Sequence, residues 1–396
     1  MHANNQALPA GMTDFAKLRS RSALLVDKTD LIAGLATECG DQVFLARPRR
    51  FGKTLLTSTL RTLFEGRLER FHGMKIDGRW HEKPHDVVTL DFSKSASSFS
   101  SAAEFEAKFW NYVQAQCAAV GYAYDPKSLS NPENQFDLWL QSRIGNPLVL
   151  LIDECDAPLN HSLSDPELYT GVQARLRVFF STLKSNEGAL RFLFLTGTAR
   201  HDFLGINSLI DVSSMPAFGT LLGFTEDELI ECFDEPLERA SRILGLAVPT
   251  LIDELSRCYG GFCFEASASS RVLNPWSVLR FLMAPECGFV NYRHESAGEP
   301  AFFMNALNGI DIGRILSLEN GLQATASELR APLMESDLFT SLHDCGSRRL
   351  DEIALLLQAG CLTVKRAGAF GALTLDIPNR ETRDALMRLC ARARAA

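Results

Sequence analysis

No apolar run in this chain approaches the ~20 residues that a bilayer-spanning helix needs; the longest aliphatic stretches are of the size of Leu148 to Ile152. A transmembrane segment is therefore not expected. The first fifteen residues, MHANNQALPAGMTDF, have neither the basic start nor the apolar stretch of a secretory signal. Export is not expected, and the cytoplasm is the expected compartment. No C-x-x-C pair occurs among the ten cysteines, which excludes common zinc-finger and redox spacings and reads as reduced, mostly packed thiols. Internal repeats and Pro/Ser-rich linkers are absent as well. A broad cationic surplus is also lacking: 40 Lys+Arg stand against 48 Asp+Glu, for a formal charge of −8. Only the first hundred residues are basic, with 15 cations against 11 acids, so sequence-independent nucleic-acid binding is a weakly supported partner class.

What is present is an ordinary globular composition, 46% apolar and 22% charged over 396 residues, enough for two or three domains with buried cores. From about Arg21 to Thr198, short β-rich runs alternate with helical patterns. Strands are expected at Gln42 to Ala46, Val87 to Phe92, Leu148 to Ile152 and Arg191 to Thr196. Helices are expected to begin near Lys53, Glu104, Thr170 and Arg200. That alternation predicts an α/β fold, a central parallel sheet flanked by helices. After Pro216 helical patterns take over, the first opened by a capping box of Thr225 and Glu228. Others follow at Pro249 to Arg257, Pro275 to Leu282 and Asp351 to Gln358, then a β-hairpin over Cys361 to Asp376 and a last helix from Asn379. The expected organisation is a P-loop core over 15–215, a helical lid over 216–300, and a mostly helical C-terminal region with a small β-hairpin over 301–396.

The sharpest feature is Arg47-Pro48-Arg49-Arg50-Phe51-Gly52-Lys53-Thr54, set between an expected strand and an apolar-periodic helix. A polyphosphate needs backbone N–H donors at a helix N-terminus, where unpaired amides and the helix dipole favour negative charge. Gly52 permits close backbone approach, Lys53 neutralises the β and γ oxygens, and the Thr54 hydroxyl can ligate Mg²⁺. The pattern G-x-x-x-x-G-K-[ST] places a glycine where this chain has Arg47. The expected nucleotide-binding set is Arg47, Pro48, Arg49, Arg50, Phe51, Gly52, Lys53, Thr54 and Leu55.

A second element supports the first. Leu148 to Ile152 is a buried-strand pattern ending in Asp153-Glu154. An Asp at such a tip holds the Mg²⁺ shell together with Thr54, and the adjacent Glu154 polarises the attacking water. Asp156 is expected to cap or solvate the following turn. The stretch Val87 to Val120 implies an extra strand between the two motif strands. The next strand ends in Thr196-Gly197-Thr198-Ala199-Arg200, where Thr196, with Thr198 second, is the expected γ-phosphate sensor and Arg200 the cation offsetting transition-state charge. Glu154, Lys53, Thr196 and Arg200 form the expected catalytic set.

These residues resemble the prokaryotic AAA-ATPase-like family. The resemblance runs through Val26-Asp27-Lys28-Thr29, Phe44 to Thr54 with its R-P-R-R-F-G-K-[ST] loop, Leu90-Asp91-Phe92-Ser93 and Leu151-Ile152-Asp153-Glu154. It continues through Gly223-Phe224-Thr225, Tyr259-Gly260-Gly261-Phe262, Asn274-Pro275-Trp276 and Ile377-Pro378-Asn379. It implies ATP, with Mg²⁺, as the cofactor, acceptance of Arg at the first loop position, and Asp27-Lys28-Thr29 as a flank of the nucleotide pocket. Members of the family often continue into a PD-(D/E)XK nuclease, for which the residues after Asn379 leave no expected room.

Two motifs are set aside. His81-Glu82-Lys83-Pro84-His85 fits H-E-x-x-H, but Pro84 falls where both imidazoles would need a helix. Asp91 with Glu106 and Lys108 imitates a nuclease triad, but Glu106 falls on an expected helix. The leading expectation is an ATP-hydrolysing switch that controls a conformational change or a protein partner. Its rivals are a non-hydrolysing, nucleotide-gated interaction module and the ATPase subunit of a nucleic-acid-processing or defence system with a separate nuclease.

Overall fold

The computed structural model describes residues 7–96, 99–163, 165–201, 209–292, 313, 316, 321–330 and 348–395. Five strands form one parallel sheet: β1 (Gln42–Ala46), β2 (Val87–Asp91), β3 (Leu148–Asp153), β4 (Leu190–Gly197) and β5 (Ile210–Asp211). Their order is β2-β3-β4-β1-β5. Alternate side chains enter opposite layers, as the two-residue period of a strand requires. Val149, Leu151, Phe192 and Phe194 join one apolar cluster, whereas Leu150, Ile152, Leu193 and Leu195 join the other. With both faces covered, β3 is buried at all six positions, the near-continuous apolar reading of a central parallel strand.

The first face is covered by α1 (Phe15–Ser20), α2 (Thr29–Thr37) and α3 (Lys53–Phe64). The second is covered by α4 (Phe92–Ser95), α5 (Ala102–Cys117), α6 (Pro132–Ser142), α7 (Ala157–Ser162) and α8 (Pro166–Ser185). On α5 the buried residues are Phe105, Phe109, Trp110, Val113 and Cys117, one stripe at helical spacing. Asp165 caps α8 by accepting from the amides of Glu167 and Leu168.

The sheet order corrects one expectation. The strand that follows the P-loop helix in sequence, β2, does not lie between the motif strands; it sits outside β3, and β4 separates β3 from β1. β5 is an addition of only two residues, held by pairing to Val43 and Phe44. The helix expected near Arg200 falls on residues 202–208, outside the described residues.

Beyond β5 lie α9 (Glu226–Cys232), α10 (Asp234–Leu244), α11 (Val248–Tyr259) and α12 (Pro275–Met283). The capping box forms: the Thr225 hydroxyl accepts from the Glu228 amide at 3.2 Å, and the Glu228 carboxylate accepts from the Thr225 amide at 2.8 Å. Leu229, Phe233, Leu237, Leu255 and Phe281 pack together, and Val26 from the N-terminal segment joins them. The expected hairpin is β7 (Thr363–Ala367) and β8 (Ala372–Asp376), but a third strand, β6 (Leu322–Thr325), extends it into an antiparallel sheet of order β6-β8-β7. Helices over Arg348–Gln358 and Arg380–Ala395 accompany it.

Candidate functional site

The loop between β1 and α3 carries two left-handed residues, Arg50 at φ 68° and Gly52 at φ 101°. Gly52 is the N-cap of α3 and offers no side chain to its first turn. The first intrahelical bond runs from the Leu56 amide to the Gly52 carbonyl at 3.0 Å. The amides of Lys53, Thr54 and Leu55 are thus the orphan donors of the helix start, aimed with the positive end of its dipole. Lys53 is buried; its ammonium donates to the carbonyls of Arg47 at 3.0 Å and Pro48 at 3.4 Å and lies 3.5 Å from the Glu154 carboxylate.

Opposite stands the tip of β3. Burial pushes the Asp153 carboxyl up to about 6; Glu154 and Asp91 push the same way, against a hydrogen bond from Thr54 and the charge of Lys53. Glu154 takes a left-handed conformation, φ 50°, with its amide donating to Asp153 Oδ1 at 3.1 Å. Such a conformation is costly for a residue with a Cβ and turns this carboxylate back over the loop. Parallel pairing sets Asp91 beside Asp153, and Asp91 accepts from the Ser93 hydroxyl at 2.6 Å.

These groups line one cavity of about 470 Å³. Its polar lining includes Arg49, Arg50, Lys53, Thr54, Asp153 and Glu154, with Asp91 and Ser93. Its apolar lining includes Leu24, Val26, Phe224, Phe233, Trp276 and Leu279. Lys28 also lines it and donates to Glu228 at 2.8 Å. Burial lowers the Lys28 ammonium, partly offset by Glu228. The Arg50 guanidinium stacks 4.5 Å above the Trp276 indole, so the loop touches the helix that carries Trp276 directly.

Uncapped amides, a buried ammonium, and a hydroxyl bonded to a buried carboxylate make a donor set suited to a polyphosphate with a hard divalent ion. The cavity size suits a small-molecule ligand.

Several expected site residues lie elsewhere. Arg47 and Pro48 do not line the cavity. The Arg47 side chain is buried away from it, and burial, opposed by Asp211, lowers its guanidinium to about 10. Thr196 is also outside, its hydroxyl donating to the Leu45 carbonyl at 2.9 Å inside the sheet. Thr198 is buried beside it and likewise outside. Arg200 pairs with Asp211 at 2.8 Å instead of pointing at the loop. Asp156 holds the N-cap position of α7 as expected, but its side chain makes no capping bond and does not meet water: fully buried, it accepts from the amides of Thr198 at 3.0 Å and Ala199 at 2.9 Å and ties the β3 tip to the end of β4. The His81–His85 stretch is irregular, and Glu106 lies on α5, paired with Arg175.

Asp91, Ser93, Phe233 and Leu279 escaped the sequence reading as cavity residues. For Asp91 the signal was available, a strand tip of the same pattern as Asp153. For the apolar wall no local pattern distinguishes a ligand-facing Leu from a core Leu.

A family model described as Predicted AAA-ATPase matches residues 9–206. A protein of Azotobacter chroococcum mcd 1, described as an uncharacterized protein in the vnfD 5' region, is 29% identical over 392 residues, spanning 97% of this chain and 69% of that protein. Among solved structures, Cdc6p from Pyrobaculum aerophilum aligns with 92% of this chain and 91% of its own, at 13% identity and a TM-score of 0.30. The Aeropyrum pernix ORC2 protein, in ADPNP-ADP complexes, aligns with 96% and 94%, at 13% identity and a TM-score of 0.36.

Proposed function

The chain belongs to the AAA-ATPase-like family, and from that premise we propose that it binds Mg-ATP in the cavity at the start of α3, hydrolyses it, and converts nucleotide state into movement of the segment after Pro216. The carrying observation is convergence. Residues 101 and 99 positions apart in sequence meet, the Lys53 ammonium 3.5 Å from Glu154 and the Thr54 hydroxyl on Asp153.

In this reading the amides of Lys53 to Leu55 and the Lys53 ammonium hold the β and γ phosphates, and the apolar wall around Trp276 receives the base. Thr54 and Asp153 would hold magnesium, which supplies charge neutralisation of the phosphate oxygens. Glu154 orients the attacking water and accepts its proton, and Lys53 stabilises charge on the transferring group. Thr196 and Arg200 take no direct part, since both are committed within the sheet and its edge. Residues 15–215 serve as the ATPase core and 216–300 as the helical lid that closes over the base and reports nucleotide state, followed by the C-terminal region over 301–396.

Calorimetric titration with ATP, ADP and GTP, followed by phosphate-release assays with and without nucleic acid, tests the proposal. Saturable ATP binding with magnesium-dependent turnover supports it. Binding without turnover would leave a nucleotide-gated interaction module, and absence of ATP binding would refute the site.

A further inference from the structure

An ordinary P-loop opens with glycine, yet Arg47 stands at that position and does not need glycine's freedom. Its own φ is not positive; the left-handed turns are made at Arg50 and Gly52. Its side chain runs away from the cavity into a pocket of backbone carbonyls. One terminal nitrogen donates to Ala46 O at 2.9 Å and Ser213 O at 2.7 Å, and the other donates to Phe218 O at 3.0 Å. The planar group lies 4.3 Å from the centre of the Phe264 ring. Phe51, four residues on, meets Phe262 and Phe264 edge-on at 4.9 and 5.3 Å. The loop is therefore bolted to two segments remote in sequence, 213–218 and 262–264.

Stability alone is a poor account of this arrangement. Burying a guanidinium is expensive, and the Arg47 Nε has no hydrogen-bond partner among the described residues. What the contacts do accomplish is to fix the carbonyls of Arg47 and Pro48, and those are the two acceptors that hold the Lys53 ammonium.

We propose that Arg47 is a positioning residue, which sets the phosphate loop and Lys53 by tying them to segment 213–218 and to Phe264, so that phosphate affinity depends on the seating of the lid. This rests on the phosphate-site reading above. Nothing in it requires Arg47 to touch nucleotide.

The test compares Mg-ATP with adenosine in calorimetric titrations of the full chain, because only ATP uses the loop. Arg47→Gly, which installs the ordinary P-loop residue, should melt cooperatively, lose ~10- to 100-fold in ATP affinity, as expected for lost bonds to a charged group, and keep its adenosine affinity. Phe264→Leu leaves the loop sequence untouched and covers the case in which Arg47→Gly does not fold. It should lose about two- to fivefold for ATP, as for a lost cation–π contact, and nothing for adenosine. Unchanged ATP affinity in a folded variant, or equal losses for both ligands, overturns the positioning role. A wild-type chain that binds adenosine but gains nothing from the phosphates overturns the phosphate-site reading itself, which the variants alone would not do.

Discussion

The Lys53 ammonium and the Glu154 carboxylate face each other at 3.5 Å across the mouth of the phosphate loop. In the proposed mechanism an incoming γ-phosphate competes with Glu154 for that ammonium, so the pair would tie the proposed water-activating group to the proposed phosphate-binding one. Glu154→Gln removes the negative competitor but keeps the shape. It should bind ATP at least as tightly as the wild type and turn over slower by on the order of 10², as for loss of a general base, in paired calorimetry and phosphate-release assays. Lys53→Ala should abolish ATP binding; retained affinity would place the nucleotide elsewhere.

Asp153 should be a residue whose removal stabilises the fold. Its carboxyl is raised to about 6 by burial, above the unfolded value near 3.9, so the folded state holds its proton more tightly. The stabilising contribution belongs to the protonated form, and is lost as pH rises through about 6. Asp153→Asn should gain ~1–3 kcal/mol at pH 8 and much less at pH 4, read as denaturant midpoints. A loss at pH 8 would contradict the burial argument.

The same shift predicts a pH dependence for magnesium. Asp153 must be ionised to serve a divalent ion, so the magnesium requirement for ATP binding should rise as pH falls below about 6. Titrations of magnesium at fixed ATP between pH 5 and 8 measure it. A flat profile would remove Asp153 from the cation's shell.

Trp276 offers an optical readout. It lines the cavity and stacks under Arg50 at 4.5 Å, whereas Trp80 and Trp110 belong to the two sheet cores. ATP should change the intrinsic fluorescence of the wild type, and Trp276→Phe should remove most of that change without preventing binding. A response that survives the substitution would move the base away from this wall.

Gly261 packs against the segment around Pro378 at φ 77°, and a Cβ there would stand 2.2 Å from the Pro378 carbonyl oxygen. Gly261→Ala should therefore cost well over ~1 kcal/mol and lower the melting temperature, although Gly261 does not line the cavity. An unchanged melting curve would show that the junction yields freely.

Local chemistry determined much of this protein before any folding was considered. Buried strands such as Leu148 to Asp153 declare themselves by continuous apolarity, the α3 start by Gly52-Lys53-Thr54, and α9 by the reciprocal cap of Thr225 and Glu228, because each signal is satisfied within a few residues. Tertiary structure alone decided the rest. That β4 lies between β1 and β3, that two-residue β5 is a strand at all, and that Asp91 comes to stand beside Asp153 depend on pairing across the sheet, which leaves no periodic trace. Arg47 looked like a phosphate ligand by position, but the direction of its side chain was set by carbonyls at Ser213 and Phe218. A long cation goes where its hydrogen bonds can be satisfied, and those acceptors arrive only when distant segments meet.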